Sequence, residues 1–353
     1  MKRIYFLDLI RVFLAIVVFC HHSAISFGAL GDWYYLSRDS VSGITQVLLS
    51  VNMGVDQAYF MSLFFFISAY FLPGTIDRKG VKSFMMDRIN RLGIPLLLFY
   101  FVLSPFLVYW IYGFWGKPDL GPMWFVFSLL FFEFAYVVYR SFGVKRFKMR
   151  CERPKILFII MSFVILTGLL AFVVRLWFPM GKEVFGLQIG FFPSYVVMYF
   201  LGIVAYRNQW LERLNIKIGY MCGIVGLLMA LSLLYVGATQ PNCIDYFSGG
   251  FNGYALYYAV WESIMCACVC YFLLALGKFY FNTPSSVICK LSMHSYSFYI
   301  IHPFFIVGCV FVMESLPLSP LMRLILVCII GIPLCLAVAI GVRKLLRIAG
   351  VRI

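Results

Sequence analysis

The chain has 353 residues, 63% of them apolar and only 12% charged, with a mean hydropathy of +0.94. A water-soluble domain of this size cannot hide that much apolar surface, so the composition excludes a globular enzyme in solution. The net charge of +15 does not point to nucleic acid, because the basic residues fall in short gaps between long apolar runs.

Those runs are continuous rather than ten-residue alternations, which argues against a membrane β-barrel. The expected class is an all-α polytopic membrane protein, one integral membrane domain over residues 1–353. Ten spans are predicted, at 5–27, 48–72, 92–113, 122–140, 156–178, 189–207, 217–236, 254–276, 295–313 and 321–342. Each is close to the ~20 residues that cross a hydrocarbon core. Met1–Lys2–Arg3 looks like the start of a signal peptide. The apolar run behind it is too long for one and contains Arg11, so it reads as the first span.

Turn residues punctuate the pattern at Pro73–Gly74, Gly116–Lys117–Pro118, Gly121–Pro122, Pro179–Met180–Gly181, Gly249–Gly250 and Pro317–Leu318–Ser319–Pro320. Trp33, Tyr34, Tyr35, Trp110, Trp115 and Trp124 lie near predicted borders on one side, as an aromatic belt would. Counting Lys and Arg by side gives 23 against 5, with Arg11 inside a span. Both termini are therefore expected in the cytoplasm.

The first span carries the most informative spacing. Arg11 and His22 are eleven residues apart. On an α-helix eleven steps return to within ~20° of the starting face and rise about 16 Å. One face thus carries a guanidinium near one end and an imidazole near the other. Such groups are costly at membrane depth and usually mark function. Asp8 lies one turn before Arg11, placed to pair with it.

The remaining candidates are few. The chain has four histidines: His21 and His22 in span 1, His294 at the border of span 9, and His302 inside span 9. Glu133 in span 4 and Glu262 in span 8 are the embedded carboxylates. His22 and Glu262 sit at similar depth, so Glu262 is a candidate to orient the imidazole and raise its basicity. The eleven cysteines mostly lie within spans, where a thiol behaves as a small hydrophobe. Cys266, Cys268 and Cys270 do not share one helix face, and no metal site is expected. Arg88 and Arg91 precede span 3; three residues apart on an α-helix they share a face and suit a phosphorylated ligand. The bland reading of that pair is the ordinary basic inner border.

Several stretches together resemble the acyltransferase 3 family of integral membrane acyltransferases. Arg11, ten residues, then His22 is similar to that family's Arg-x10-His signature. Phe64–Phe65–Phe66–Ile67–Ser68–Ala69–Tyr70–Phe71 looks like its span-2 run, with Ala69 where the family usually has glycine. Arg88 and Arg91 fit its Arg-x-x-Arg, Trp124–Phe125 the start of span 4, Phe200–Leu201–Gly202–Ile203 span 6, and Tyr299–Ile300–Ile301–His302–Pro303 span 9. The run Arg88–Ile89–Asn90–Arg91–Leu92–Gly93–Ile94–Pro95 looks most like the branch containing the succinyltransferase of osmoregulated periplasmic glucans.

The resemblance implies a multi-pass enzyme of the inner (cytoplasmic) membrane. It implies transfer of an acetyl or succinyl group from cytoplasmic acyl-CoA to a hydroxyl of an extracytoplasmic or lipid-linked glycan. Membrane lipid, the acyl-CoA donor, the glycan acceptor and proteins of glycan synthesis are the implied partners. His22, Arg11, Glu262 and His302 are the candidate catalytic residues, and Arg88 and Arg91 the candidate acyl-CoA-binding residues. Whether His22 acts as base or carries the acyl group stays open at this level. Arg323 is a candidate partner for a succinyl carboxylate. The rival readings are a proton-coupled transporter or flippase using His22, Glu133, Glu262 and His302 as a relay, and a non-catalytic scaffold. The chain lacks the paired broken helices of transporters.

Overall fold

The computed structural model describes residues 3–141, 156–240 and 243–348. The basic stretch expected between spans 4 and 5 (Lys145, Arg146, Lys148, Arg150, Arg153, Lys155), with Lys2 and Arg352, lies outside the described residues.

The described residues form ten helices long and apolar enough to cross a membrane. They are α1 Tyr5–Ser26, α2 Gly43–Lys79, α3 Val81–Tyr112, α4 Gly121–Ser141, α5 Ile156–Arg175, α6 Ile189–Arg207, α7 Ile216–Thr239, α8 Gly253–Tyr280, α9 Ser286–Glu314 and α10 Pro320–Lys344. All ten predicted spans are present, and the protein is all-α and polytopic. Inside a bilayer the backbone must satisfy its own polar groups, and a helix does so within one segment. Several helices outrun the predicted apolar core. Polar flanks such as Gly43–Gln46 and Asp77–Lys79 of α2 continue the hydrogen-bonding past the hydrophobic limit.

The chain divides into two compact units. One comprises Met1–Leu7, Gln57–Met86 and Ser128–Asn282, the other Asp8–Asp56, Asp87–Phe127 and Thr283–Ile353.

In the first unit α8 packs along α5 and α7. Lipid tails are as apolar as leucine, so helices associate there through close packing and a few polar ties. Gly202 of α6 shows the packing. A Cβ at that position would stand 2.4 Å from the Phe66 carbonyl oxygen and 2.9 Å from the Ala69 Cβ. Ala69 is thus accommodated because the facing residue has no side chain. The polar ties are specific. Asp77 of α2 accepts hydrogen bonds from Arg140 of α4 at 2.9 Å and Arg207 of α6 at 2.7 Å. The Trp261 indole of α8 donates to the Met229 carbonyl of α7 at 2.7 Å.

The second unit contains α1, the start of α2, most of α3, the start of α4, and α9 with α10. Its apolar core gathers Phe19, Ile25 and Phe27 with Phe298, Ile306 and Val310 of α9 and Val327 and Cys335 of α10, all buried. Two π-helical turns interrupt α3, at Ile89–Gly93 and Phe99–Leu103. Each ends two residues before a proline, Pro95 and Pro105. A proline ring crowds the carbonyl four residues earlier and offers it no N–H. The backbone widens by one residue instead, with Ile94 N–H bonding the Ile89 carbonyl and Ser104 N–H the Phe99 carbonyl.

Candidate active site

α1 is helical from end to end, so Arg11 and His22 lie on nearly one face about 16 Å apart. Near its start, the Arg11 Nη1 lies 3.4 Å from Asp8 Oδ1, and its side chain is 31% exposed. Ser292 of α9 donates to the same Asp8 oxygen at 3.0 Å. Asp8 therefore holds the guanidinium while leaving it partly open.

At the far end, His22 meets His302. His22 Nδ1 and His302 Nε2 are 3.0 Å apart, with the rings nearly parallel (13°) and their centroids 5.2 Å apart. His302 is wholly buried in α9, and its Nδ1 lies 2.6 Å from the Tyr299 carbonyl oxygen. A carbonyl can only accept, so His302 Nδ1 carries the proton. The Nε2 of neutral His302 must then accept, so His22 Nδ1 is the donor between the rings. That leaves the lone pair of His22 on Nε2. His22 is half-buried and His302 wholly buried, so His22 is the more exposed residue of the pair.

The residues after α1 close over these rings. The Trp33 indole stacks on His22 with centroids 3.8 Å apart and planes 21° apart, and lies 5.8 Å from His302. The Trp33 Nε1–H is buried and makes no hydrogen bond. Tyr34 pairs its hydroxyl with Ser104 of α3 at 3.3 Å, and burial pushes its phenol up, so it stays protonated. The Tyr35 hydroxyl donates to Glu314 of α9 at 2.9 Å, and the Arg38 amide donates to the same carboxylate at 2.8 Å. Gly121, at φ +44°, lets the start of α4 approach: a Cβ there would stand 1.9 Å from the Tyr34 hydroxyl. The neighbouring Pro122 carbonyl accepts from the Tyr299 hydroxyl, anchoring the turn of α9 that holds His302.

The other sequence candidates have other surroundings. Glu262, expected to orient His22, is 3% exposed and bonded by Arg175 at 2.5 Å, in the first unit. The structure gives His22 an imidazole partner where the sequence pointed to this carboxylate. A buried carboxylate needs a cation, and Arg175 in the last turn of α5 supplies it while its Nε donates to the Gly190 carbonyl at 3.1 Å.

Arg88 is half-buried, whereas Arg91 is exposed and bonded to Asp87 at 2.9 Å. A π-turn starts at Ile89, between the two arginines, so their spacing is not that of a plain α-helix. Arg323 is bonded to Asp39 at 2.8 Å and to the Leu316 carbonyl at 2.9 Å. It ties the loop after α1 to α10 and is not a spare cation.

Sequence reading placed Trp33 in an aromatic belt. The signal that would have singled it out is its position eleven residues after His22, just past the helix end where the chain must turn back. A second buried histidine adjoins the site: His21 Nδ1 lies 3.7 Å from Asp56, beyond hydrogen-bond distance, and Asp56 accepts from Asn52 at 3.0 Å. Among the described residues, no group of His, Cys, Asp and Glu is arranged to hold a metal ion.

The family model described as an acyltransferase domain matches residues 4–340. No curated protein and no solved structure matches the chain.

Proposed function

The chain belongs to this acyltransferase family, and we propose that it moves a short acyl group, acetyl or succinyl, from cytoplasmic acyl-CoA to a hydroxyl of an extracytoplasmic or lipid-linked glycan, with His22 as the base. Membership makes it a multi-pass membrane enzyme that transfers acyl groups. The observation that carries the finer reading is the His22–His302 pair, which leaves the lone pair of His22 on Nε2 and holds the ring in one orientation.

The chemistry balances without an outside proton. His22 Nε2 takes the hydroxyl proton as the oxygen attacks the thioester carbonyl. The tetrahedral intermediate collapses, the carbon–sulfur bond breaks, and the thiolate of CoA takes the proton back from His22. The Trp33 Nε1–H, buried and unclaimed beside the imidazole, is the donor we assign to the developing oxyanion. Arg11 lies about 16 Å away along α1, too far to touch that carbonyl. In this reading Arg11, Arg88 and Arg91 serve the cofactor's phosphates and pantetheine arm at the cytoplasmic end, and His302 positions His22.

The test is direct. Purified protein is incubated with radiolabelled acetyl-CoA and succinyl-CoA and a crude periplasmic or lipid-linked glycan fraction. Wild type should label the glycan from one donor, and His22→Ala should lose about 10²- to 10⁴-fold in rate. Equal labelling by both proteins would end the His22 mechanism.

A further inference from the structure

We infer that Pro303 is a positioning residue that sets the protonation pattern of the histidine pair, by withholding a backbone N–H from the Tyr299 carbonyl. The inference rests on the reading of His22 as the base.

In an α-helix the Tyr299 carbonyl accepts from the amide four residues on. That residue is Pro303, inside α9 with five turns of helix before it and three after. It has no N–H, and its ring also crowds the carbonyl four residues earlier, tilting it off the helix axis. An acceptor is thereby left unclaimed in a buried stretch. Tyr299, His302 and Pro303 are all buried, so water is a poor substitute, and an unmet carbonyl there is costly. His302, three residues after Tyr299, meets it: Nδ1 to oxygen is 2.6 Å.

The consequence passes through two rings. The Tyr299 carbonyl fixes the His302 proton on Nδ1. His302 Nε2 then accepts from His22 Nδ1 at 3.0 Å, and the His22 lone pair is fixed on Nε2. Were the His302 proton on Nε2 instead, it would point at His22 Nδ1 and force the His22 proton onto Nε2, abolishing the base. The carbonyl itself is held in place. The Tyr299 hydroxyl donates to the Pro122 carbonyl, and the Tyr299 ring meets Phe125 edge-on with centroids 6.3 Å apart. The adjacency of histidine and proline in α9 thus has a chemical reason beyond a helix bend.

Pro303→Ala tests this. Alanine restores the N–H, draws the carbonyl back along the helix axis, and favours helix in its own right. The expected result is a fall in kcat of about 10- to 100-fold with KM for acyl-CoA unchanged within about twofold. The spectroscopic readout is nitrogen NMR of protein carrying ¹⁵N-histidine. The chain has four histidines, so single His→Gln variants assign the signals. In wild type His302 should be protonated at Nδ1 and His22 at Nδ1; in Pro303→Ala both should show a substantial Nε2–H population. Unchanged nitrogen signals and unchanged kcat in Pro303→Ala would overturn the inference. Should that variant fail to fold, a wild-type spectrum with His302 protonated at Nε2 would overturn it alone. If wild type transfers from no acyl-CoA, the functional reading falls, while the nitrogen spectra still decide the protonation pattern.

Discussion

A buried imidazole bonded to another imidazole has a different effect from one bonded to a carboxylate. Aspartate or glutamate beside His22 would stabilise the imidazolium and hold the proton taken from the acceptor. His302 bonds His22 without adding negative charge, so in the proposed reaction a proton taken from the acceptor would be readily passed to the leaving thiolate. Trp33 completes the arrangement by stacking on a face of the His22 ring, while His302 meets the ring at its Nδ1 edge. Trp33→Phe keeps an aromatic face on His22 and deletes the N–H; it should lower kcat by about 10²-fold and leave acyl-CoA binding intact, read as a split between kcat and KM. If kcat holds and KM alone rises, Trp33 binds the donor and is not the oxyanion donor. His22, Arg11 and His302 were all visible in the sequence, because an ionisable group in an apolar run stands out against its neighbours. Trp33 was not, because an indole near a span border has an ordinary reason to be there.

At the scale of helices, two contacts in the first unit set how elements meet. The Arg175–Glu262 pair joins α5 to α8 with both side chains almost wholly buried, leaving Arg175 Nη1 and Glu262 Oε1 without partners. Breaking one half leaves a bare charge. Arg175→Met should lower stability by about 3–5 kcal/mol, and the double variant with Glu262→Met should recover most of it, followed by thermal unfolding in detergent. A double variant no more stable than Arg175→Met would mean that the pair does more than neutralise itself. Gly202 sets how closely α6 approaches α2. Gly202→Ala must push against the Phe66 backbone at 2.4 Å and should cost about 1–3 kcal/mol, with Ala69→Gly as a second change restoring part of it. Pro95 and Pro105 of α3 were visible as residues in the sequence. The π-turns before them were not, because proline alone does not say whether a helix bends, breaks or widens.

Across the whole molecule, the division of basic residues predicts both termini in the cytoplasm, and with them the Arg11 end of α1 and the Arg88–Arg91 end of α3. In that predicted orientation His22 and the loop after α1 belong to the outer half. A single cysteine at exposed Ser40, in a background whose native cysteines are replaced, should react with a membrane-impermeant maleimide added outside intact cells. Labelling only after the membrane is opened would reverse the orientation and put the donor and acceptor on the wrong sides for the proposed reaction. The family match runs from residue 4 to 340 and so covers most of both compact units.

The sequence by itself determined the class, the ten spans and most of their limits, and the face shared by Arg11 and His22. Each of these is local: partition into a bilayer depends on the apolarity of about twenty consecutive residues, and helical phase on spacing alone. Only the tertiary structure decided that His22 meets His302, 280 positions away, that Glu262 is held by Arg175, and that Trp33 folds back over the imidazole. Nearly all of these spans are apolar all round, so hydrophobicity cannot say which faces meet. In lipid that choice falls to small residues, prolines and a few polar groups, and their partners are settled only when the helices are side by side.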